Sequence, residues 1–149
     1  MDDHTRLCEE MFSAAKTEFK HMEYFYFHNC VYESVWKNNL RRSSERFSTQ
    51  DLLNKYGADY KVVFVGDAAM APYEITQAGG SVEHWNEEPG YVRIKRFMEK
   101  YKKLIWINPY PKDTWGYTAS TNIMRELLED KMYPLTLQGL EDGMKFLSK

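Results

Sequence analysis

A chain of 149 residues with 43% hydrophobic and 28% charged residues has the make-up of one soluble globular domain, residues 1–149, large enough to bury a core. Its net charge of −2 gives no overall pull toward nucleic acid or an anionic membrane, and two cysteines, Cys8 and Cys30, make no disulfide framework. Both lie in apolar surroundings, as buried free thiols do in a reducing cytoplasm. No charged-then-apolar leader or long apolar run predicts a signal peptide or a membrane span. The aromatic share of 15% points to a tightly packed interior or a partner surface.

The first predicted element is a helix close behind Met1. Leu7, Cys8, Met11, Phe12, Ala15 and Phe19 recur at three- and four-residue spacing as one apolar stripe, and Asp2 and Asp3 stand at its positive end. Residues 22–27 (MEYFYF) are aromatic and β-prone. His28 and Asn29 read as a turn, and 31–35 as a second short strand, so the pair forms an antiparallel hairpin at a sheet edge. His28 and Cys30 have no second ligand pair nearby and read as hairpin residues rather than metal ligands. Residues 36–47 form a polar connection carrying Lys37, Arg41, Arg42 and Arg46, either a solvated loop or a basic rim for an acidic partner.

Ser48-Thr49-Gln50-Asp51 is a capping box that opens a helix with Leu52, Leu53 and Tyr56 on its inner face and Gly57 as its stop. Thr49 therefore stands at the very start of that helix, facing either solvent or the ligand edge of a sheet. Residues 60–74 (YKVVFVGDAAMAPYE) follow, and the chain is organised around them. Val62, Val63, Phe64 and Val65 read as a strand buried on both faces between helix layers. Gly66 ends the run and Asp67 follows at once, at the carboxyl end of the strand, where open α/β sheets place their ligands. Pro72 suits the first turn of another helix. From spacing alone Asp67 reads equally as a turn or helix-capping aspartate.

Gly79-Gly80-Ser81 is a flexible break. A helix running to about Tyr101 carries Tyr91, Ile94, Phe97, Met98 and Tyr101 inward, with Glu87 and Glu88 as first-turn acids. Residues 104–107 (LIWI) form another buried strand, ended by Asn108-Pro109. Pro111, Trp115 and Tyr117 fall in the loop beyond it, on the carboxyl side. Residues 120–128 are helical, and Thr136 caps a last helix whose inner face is Leu137, Leu140, Met144 and Leu147. Strands alternate with helices in the later part, which predicts an α/β fold: three layers, doubly wound, with a mainly parallel sheet and one antiparallel edge hairpin strand.

The segments MFSAAKTEFKHMEYFYFHNCVYESVW, STQDLLNKYG, KVVFVGDAAMAPYE, GGSVEHWNEEPG, IWINPYP and MYPLTLQGLE together resemble the CoxE-like family of proteins containing a von Willebrand factor A (VWA) domain. The likeness runs over nearly the whole chain, with long segments matching in order. It implies a Rossmann-like fold with a metal-ion-dependent adhesion site (MIDAS) at the carboxyl edge of the sheet. Of that site's three pieces, the resemblance places the threonine at Thr49 and the later aspartate at Asp67. The remaining piece, an Asp-x-Gly/Ser-x-Ser motif after the family's first central strand, is missing. Met1 looks like the residue just after it, so the domain is expected to be truncated at its N-terminus, by a mis-set start or a split gene, or completed by strand donation from another chain. A central gap leaves backbone groups that cost about 1–3 kcal/mol each if buried unpaired, against a net stability of roughly 5–15 kcal/mol.

The resemblance implies a non-enzymatic protein-interaction module that works beside a MoxR-type AAA+ ATPase in maturing a metalloenzyme such as carbon monoxide dehydrogenase or another molybdenum enzyme. Thr49 and Asp67 offer hard oxygen donors suited to Mg²⁺, Ca²⁺ or Mn²⁺, and a chain with so few of them is expected to bind metal weakly or not at all. The residues themselves carry no Ser-His-Asp set, no Cys-His nucleophile and no Walker-type glycine loop. The alternative is a metal-dependent hydrolase or phosphoryl-transfer enzyme that uses Asp67, with Glu74, His84, Glu87 and Glu88 gathered near it.

Overall fold

A computed structural model of the chain describes residues 6, 23, 25–27, 34–36, 46–69, 75–76 and 90–148. The predicted N-terminal helix, apart from the helical Arg6, lies outside those residues, as do Cys8, His28, Cys30, Pro72, Glu74, His84, Glu87 and Glu88.

Among the described residues the order is β1 (Ser34–Trp36), β2 (Arg46–Ser48), α1 (Thr49–Lys55), β3 (Val62–Val65), α2 (Gly90–Lys100), β4 (Leu104–Asn108), a 3₁₀ turn (Lys112–Tyr117), α3 (Ala119–Leu127), β5 (Met132–Pro134) and α4 (Leu137–Ser148). Strands β3, β4 and β5 form a parallel sheet in that spatial order. Val62 pairs with Leu104, Val65 with Ile107, and Trp106 with Met132. The protein is thus α/β, with helices on both faces of a parallel sheet.

The layering follows from strand parity. Side chains alternate between the two faces of a strand. Phe64, Leu104, Trp106 and Met132 fall on one side and pack with Ile94, Phe97 and Tyr101 at α2 and with Met124 and Leu128 at α3. Val63, Val65, Ile105, Ile107 and Tyr133 fall on the other, under Leu140, Phe146 and Leu147 of α4. All five residues of β4 are buried, as a strand between two others must be. In β3 only Phe64 is fully buried and the three valines are half-buried, so this strand is less enclosed than its unbroken apolar run suggests. β3 is at one edge of the described sheet.

The capping box forms: Asp51 N–H donates to Ser48 Oγ at 3.0 Å. Leu52 and Leu53 are buried. The turn of the expected 22–35 hairpin lies outside the described residues, and the described partner of β1 is β2, antiparallel, with Ser34 opposite Ser48 and Trp36 opposite Arg46. Both ends of the connection predicted at 36–47 are therefore in strands. Of the aromatic run, Tyr26 makes an isolated bridge and its neighbours fill the core edge-on. Phe27 packs on Phe64 and Trp106, with ring centroids 5.9 and 5.8 Å away, and Phe25 on Phe47 and Tyr56. Burial of ring area decides their placement more than strand pairing does.

Two further departures concern the end of the chain. Strand β5 has only three residues, ends in Pro134, and lies at the sheet edge, where the missing proline N–H is tolerated. Such a short piece carries too little alternation to be read as a strand. Thr136 does cap α4, its Oγ1 accepting from Gly139 N–H at 3.0 Å. The inner face of α4 keeps Leu140 and Leu147, as expected, but glycine takes the place of Leu137 and Met144. Gly139, Gly143 and Leu147 are buried while Leu137 is 89% exposed and Met144 also faces outward. A Cβ on Gly139 would lie 2.0 Å from the Pro134 carbonyl oxygen, and one on Gly143 2.9 Å from Ile105. The backbone contact at Gly139 excludes any side chain there, while one at Gly143 would have to displace the end of Ile105.

Candidate functional site

Asp67 lies at the carboxyl edge of the sheet, directly after β3 and Gly66, where the sequence placed it. The loop that carries it turns tightly. Gly66 passes over the Trp106 indole, and a Cβ there would stand 3.3 Å from the ring. Ala68 adopts φ 56°, a left-handed backbone that alanine enters at a cost. The Asp67 carboxylate holds the turn from within, its Oδ1 accepting from Ala69 N–H at 2.9 Å.

Side chains from later elements hold it from outside, one carbonyl after another. Trp106 Nε1 donates to Gly66 O at 2.8 Å, and Asn108 Nδ2 to Asp67 O at 3.0 Å. Ser120 Oγ donates to Ala68 O at 2.6 Å, with Thr121 Oγ1 on the same oxygen at 3.3 Å. These donors come from β4 and the first turn of α3, so the loop is fixed to two elements at once. Asn108 also accepts from Tyr110 N–H at 3.0 Å and lies 3.7 Å from the Met132 sulfur, tying the loop after β3 and the end of β4 to β5. Beyond it Trp115 is buried and donates to Tyr110 O at 2.9 Å, leaving Tyr117 90% exposed at the rim. Asn108, Ser120 and Thr121 were not singled out by sequence. The available signal was a polar residue closing a wholly apolar strand, which in a buried position must find partners.

Thr49 is 1% exposed, buried at the start of α1 immediately after β2. Helix α1 ends near the amino edge of the sheet, where Tyr101 Oη donates to Tyr56 O at 2.8 Å. Seven residues of helix place Thr49 about 10 Å from that end. The bonds made by the Asp67 side chain do not include Thr49, and the donors to its loop come from β4 and α3 instead. Two surface clefts, one between α1 and α2 beside Leu53 and Lys100, the other beside Ile75 and Ile123, take in neither residue.

A hard dication needs six or more oxygen ligands. Among the described residues no three Asp, Glu, His or Cys side chains gather as a metal site, and the carboxyl edge offers the Asp67 carboxylate with one oxygen already engaged. The described donor set by itself does not fit a complete ion site. What the arrangement does supply is a carboxylate on a firmly held loop, at the same sheet edge as the exposed Tyr110 and Tyr117. No helix among the described residues is long and apolar enough to cross a membrane. Compared with known proteins, the chain matches no protein-family model, no curated protein and no solved structure.

Proposed function

We propose that the chain is a non-enzymatic protein-interaction module of the CoxE-like VWA type, acting through the carboxyl edge of its sheet with a MoxR-type AAA+ ATPase in metalloenzyme maturation. The observation that carries the proposal is the posting of Asp67. Three successive carbonyls of its loop are bound by Trp106, Asn108 and Ser120 and its Oδ1 accepts from Ala69 N–H, so the backbone that carries the carboxylate is firmly held. A surface prepared in this way loses little entropy when it meets a partner. The parallel sheet with helices on both faces supports the same reading.

Within this proposal Thr49 and Asp67 are two of several oxygen donors to a divalent cation. The rest arrive with the family's first central strand, joined to β3 on the side away from β4. A dication bound there supplies charge that links carboxylates across an interface. The partner ATPase and the client enzyme come from the family resemblance alone.

The test is capture of a MoxR-type ATPase by wild-type protein and by Asp67→Asn, with Mg²⁺ and with chelator. Retention that depends on Asp67 is expected, with dependence on the cation only where another chain completes the donor set. Equal capture by the two proteins would sink the assignment, as would micromolar Mg²⁺ or Mn²⁺ binding in calorimetry that survives Asp67→Ala. Phosphatase or esterase turnover abolished by Asp67→Asn would make the protein an enzyme instead.

A further inference from the structure

Each of the three parallel strands is led in by a lysine: Lys61 before β3, Lys103 before β4 and Lys131 before β5. Register brings them together. Val62 pairs with Leu104 and donates to Lys103 O at 2.9 Å, which sets Lys61 beside Lys103. Trp106 pairs with Met132 and donates to Lys131 O, which sets Lys131 beside Ile105. Strand parity then places all three on the sheet face that carries Val63, Ile105 and Tyr133, under α4. Helix α4 ends at the same corner. Its Phe146 ring lies 4.9 Å from Lys103 Nζ and 4.8 Å from Lys131 Nζ, and Lys145 is exposed in its last turn.

The ammonium groups at this corner are only partly paired. Lys131 pairs with Glu129 at 3.5 Å, and Asp130 is taken by Arg125 at 3.7 Å. Among the described residues Lys61, Lys102, Lys103 and Lys145 make no ion pair. Asp59 stands two residues before Lys61, and Glu141 and Asp142 a turn back on α4. The carboxyl end of α4 adds about half a negative charge. The summed charge is therefore close to balanced, and what distinguishes the corner is that Lys61, Lys102, Lys103 and Lys145 have no carboxylate of the described residues within ion-pair distance, on a chain whose net charge is −2.

We propose that this lysine corner is a second interaction surface, a docking site for an acidic peptide segment of a partner protein. The Lys61 and Lys103 backbones stand about 5 Å apart and those of Lys103 and Lys131, offset by two residues, about 8 Å, while alternate carboxylates of an extended chain lie about 7 Å apart, within reach of flexible lysine side chains. Among the described residues the corner has no arginine fork of the kind that grips phosphate, and the negative charge of the whole chain opposes a polyphosphate that touches several faces. Among the described residues the two most exposed apolar side chains, Tyr117 and Leu137, stand at the opposite edge, and only Tyr60 and Met144, each little more than a third exposed, adjoin these lysines, a small apolar area to bury in a bilayer.

The test is fluorescence anisotropy of a labelled aspartate-rich peptide with the full chain. Binding is expected at low salt, falling as NaCl rises from about 20 mM to about 200 mM. It should weaken roughly tenfold or more in Lys61→Gln/Lys103→Gln/Lys145→Gln, survive in the corresponding triple arginine variant, and be unchanged in Asp67→Asn. No binding by the wild type, equal affinity in the glutamine variant, or loss in the arginine variant would overturn the proposal. So would stronger binding to phosphatidylserine vesicles or to single-stranded DNA than to the peptide.

Discussion

The two edges of the parallel sheet are built on opposite plans. At the carboxyl edge buried side chains reach across and occupy the carbonyls of Gly66, Asp67 and Ala68, so the loop is held by directional bonds in a dry setting. At the amino edge the strands begin at Lys61, Lys103 and Lys131, whose long stems lie along the sheet and whose charges meet solvent, Glu129 or the face of Phe146. The first plan holds the backbone that carries one carboxylate in place. The second leaves several cations adaptable, which suits attraction over a distance rather than exact fit. One fold can therefore offer two kinds of contact without either disturbing the other.

If that contrast is right, substitutions at the two edges should differ sharply in cost. The largest effect is expected for Trp106→Ala, which empties a fully buried ring site and frees the Gly66 carbonyl. It should cost about 3–5 kcal/mol in urea unfolding. A loss below that of an ordinary surface change would break the comparison. Asn108→Ala leaves the Asp67 carbonyl and the Tyr110 N–H without their partner, for about 1–3 kcal/mol by the same measurement. Hydrogen exchange should then quicken at Ala69 and Tyr110 before the rest of the sheet. Ser120→Ala should cost less, on the order of 1 kcal/mol, because Thr121 still donates to the Ala68 carbonyl.

At the amino edge Lys61→Gln and Lys103→Gln should each leave stability within about 0.5 kcal/mol of the wild type, while peptide affinity falls. A melting temperature lowered as far as in Asn108→Ala would show that the lysines hold the fold together.

The smallest expected effect is alkaline. Burial raises the Tyr101 hydroxyl above its ordinary value of 10.0, and burial followed by the nearby Asp142 carboxylate raises Tyr133. The folded protein then keeps protons that the unfolded chain releases. This stability is fully present below about pH 10 and is lost as pH rises through the folded values. Denaturation midpoints followed with pH should fall in that window, and fall less in Tyr101→Phe/Tyr133→Phe. An unchanged slope would remove these two groups as the cause.

Much of this architecture was legible from local pattern. The cap at Ser48, the strand at residues 62–65, the strand beginning at Leu104 and the cap at Thr136 each rest on short-range chemistry: a hydroxyl ahead of a helix, or an apolar run too short to be one. The site was half legible. Asp67 was marked by its place after a strand, but the residues that hold its loop lie 39 or more positions away and could not be paired with it from the sequence.

What the sequence determined by itself was the alternation of strand and helix and the position of one carboxylate at a strand end, because both depend on neighbours along the chain. Only the tertiary structure decided that β1 pairs with β2, that glycines seat α4 alongside Leu140 and Leu147, and that Asn108 ties the loop after β3 and the end of β4 to Met132 of β5. It also gathered Lys61, Lys103 and Lys131 at one corner. Each of these depends on register and on the distance between elements, and neither quantity is written in a linear pattern.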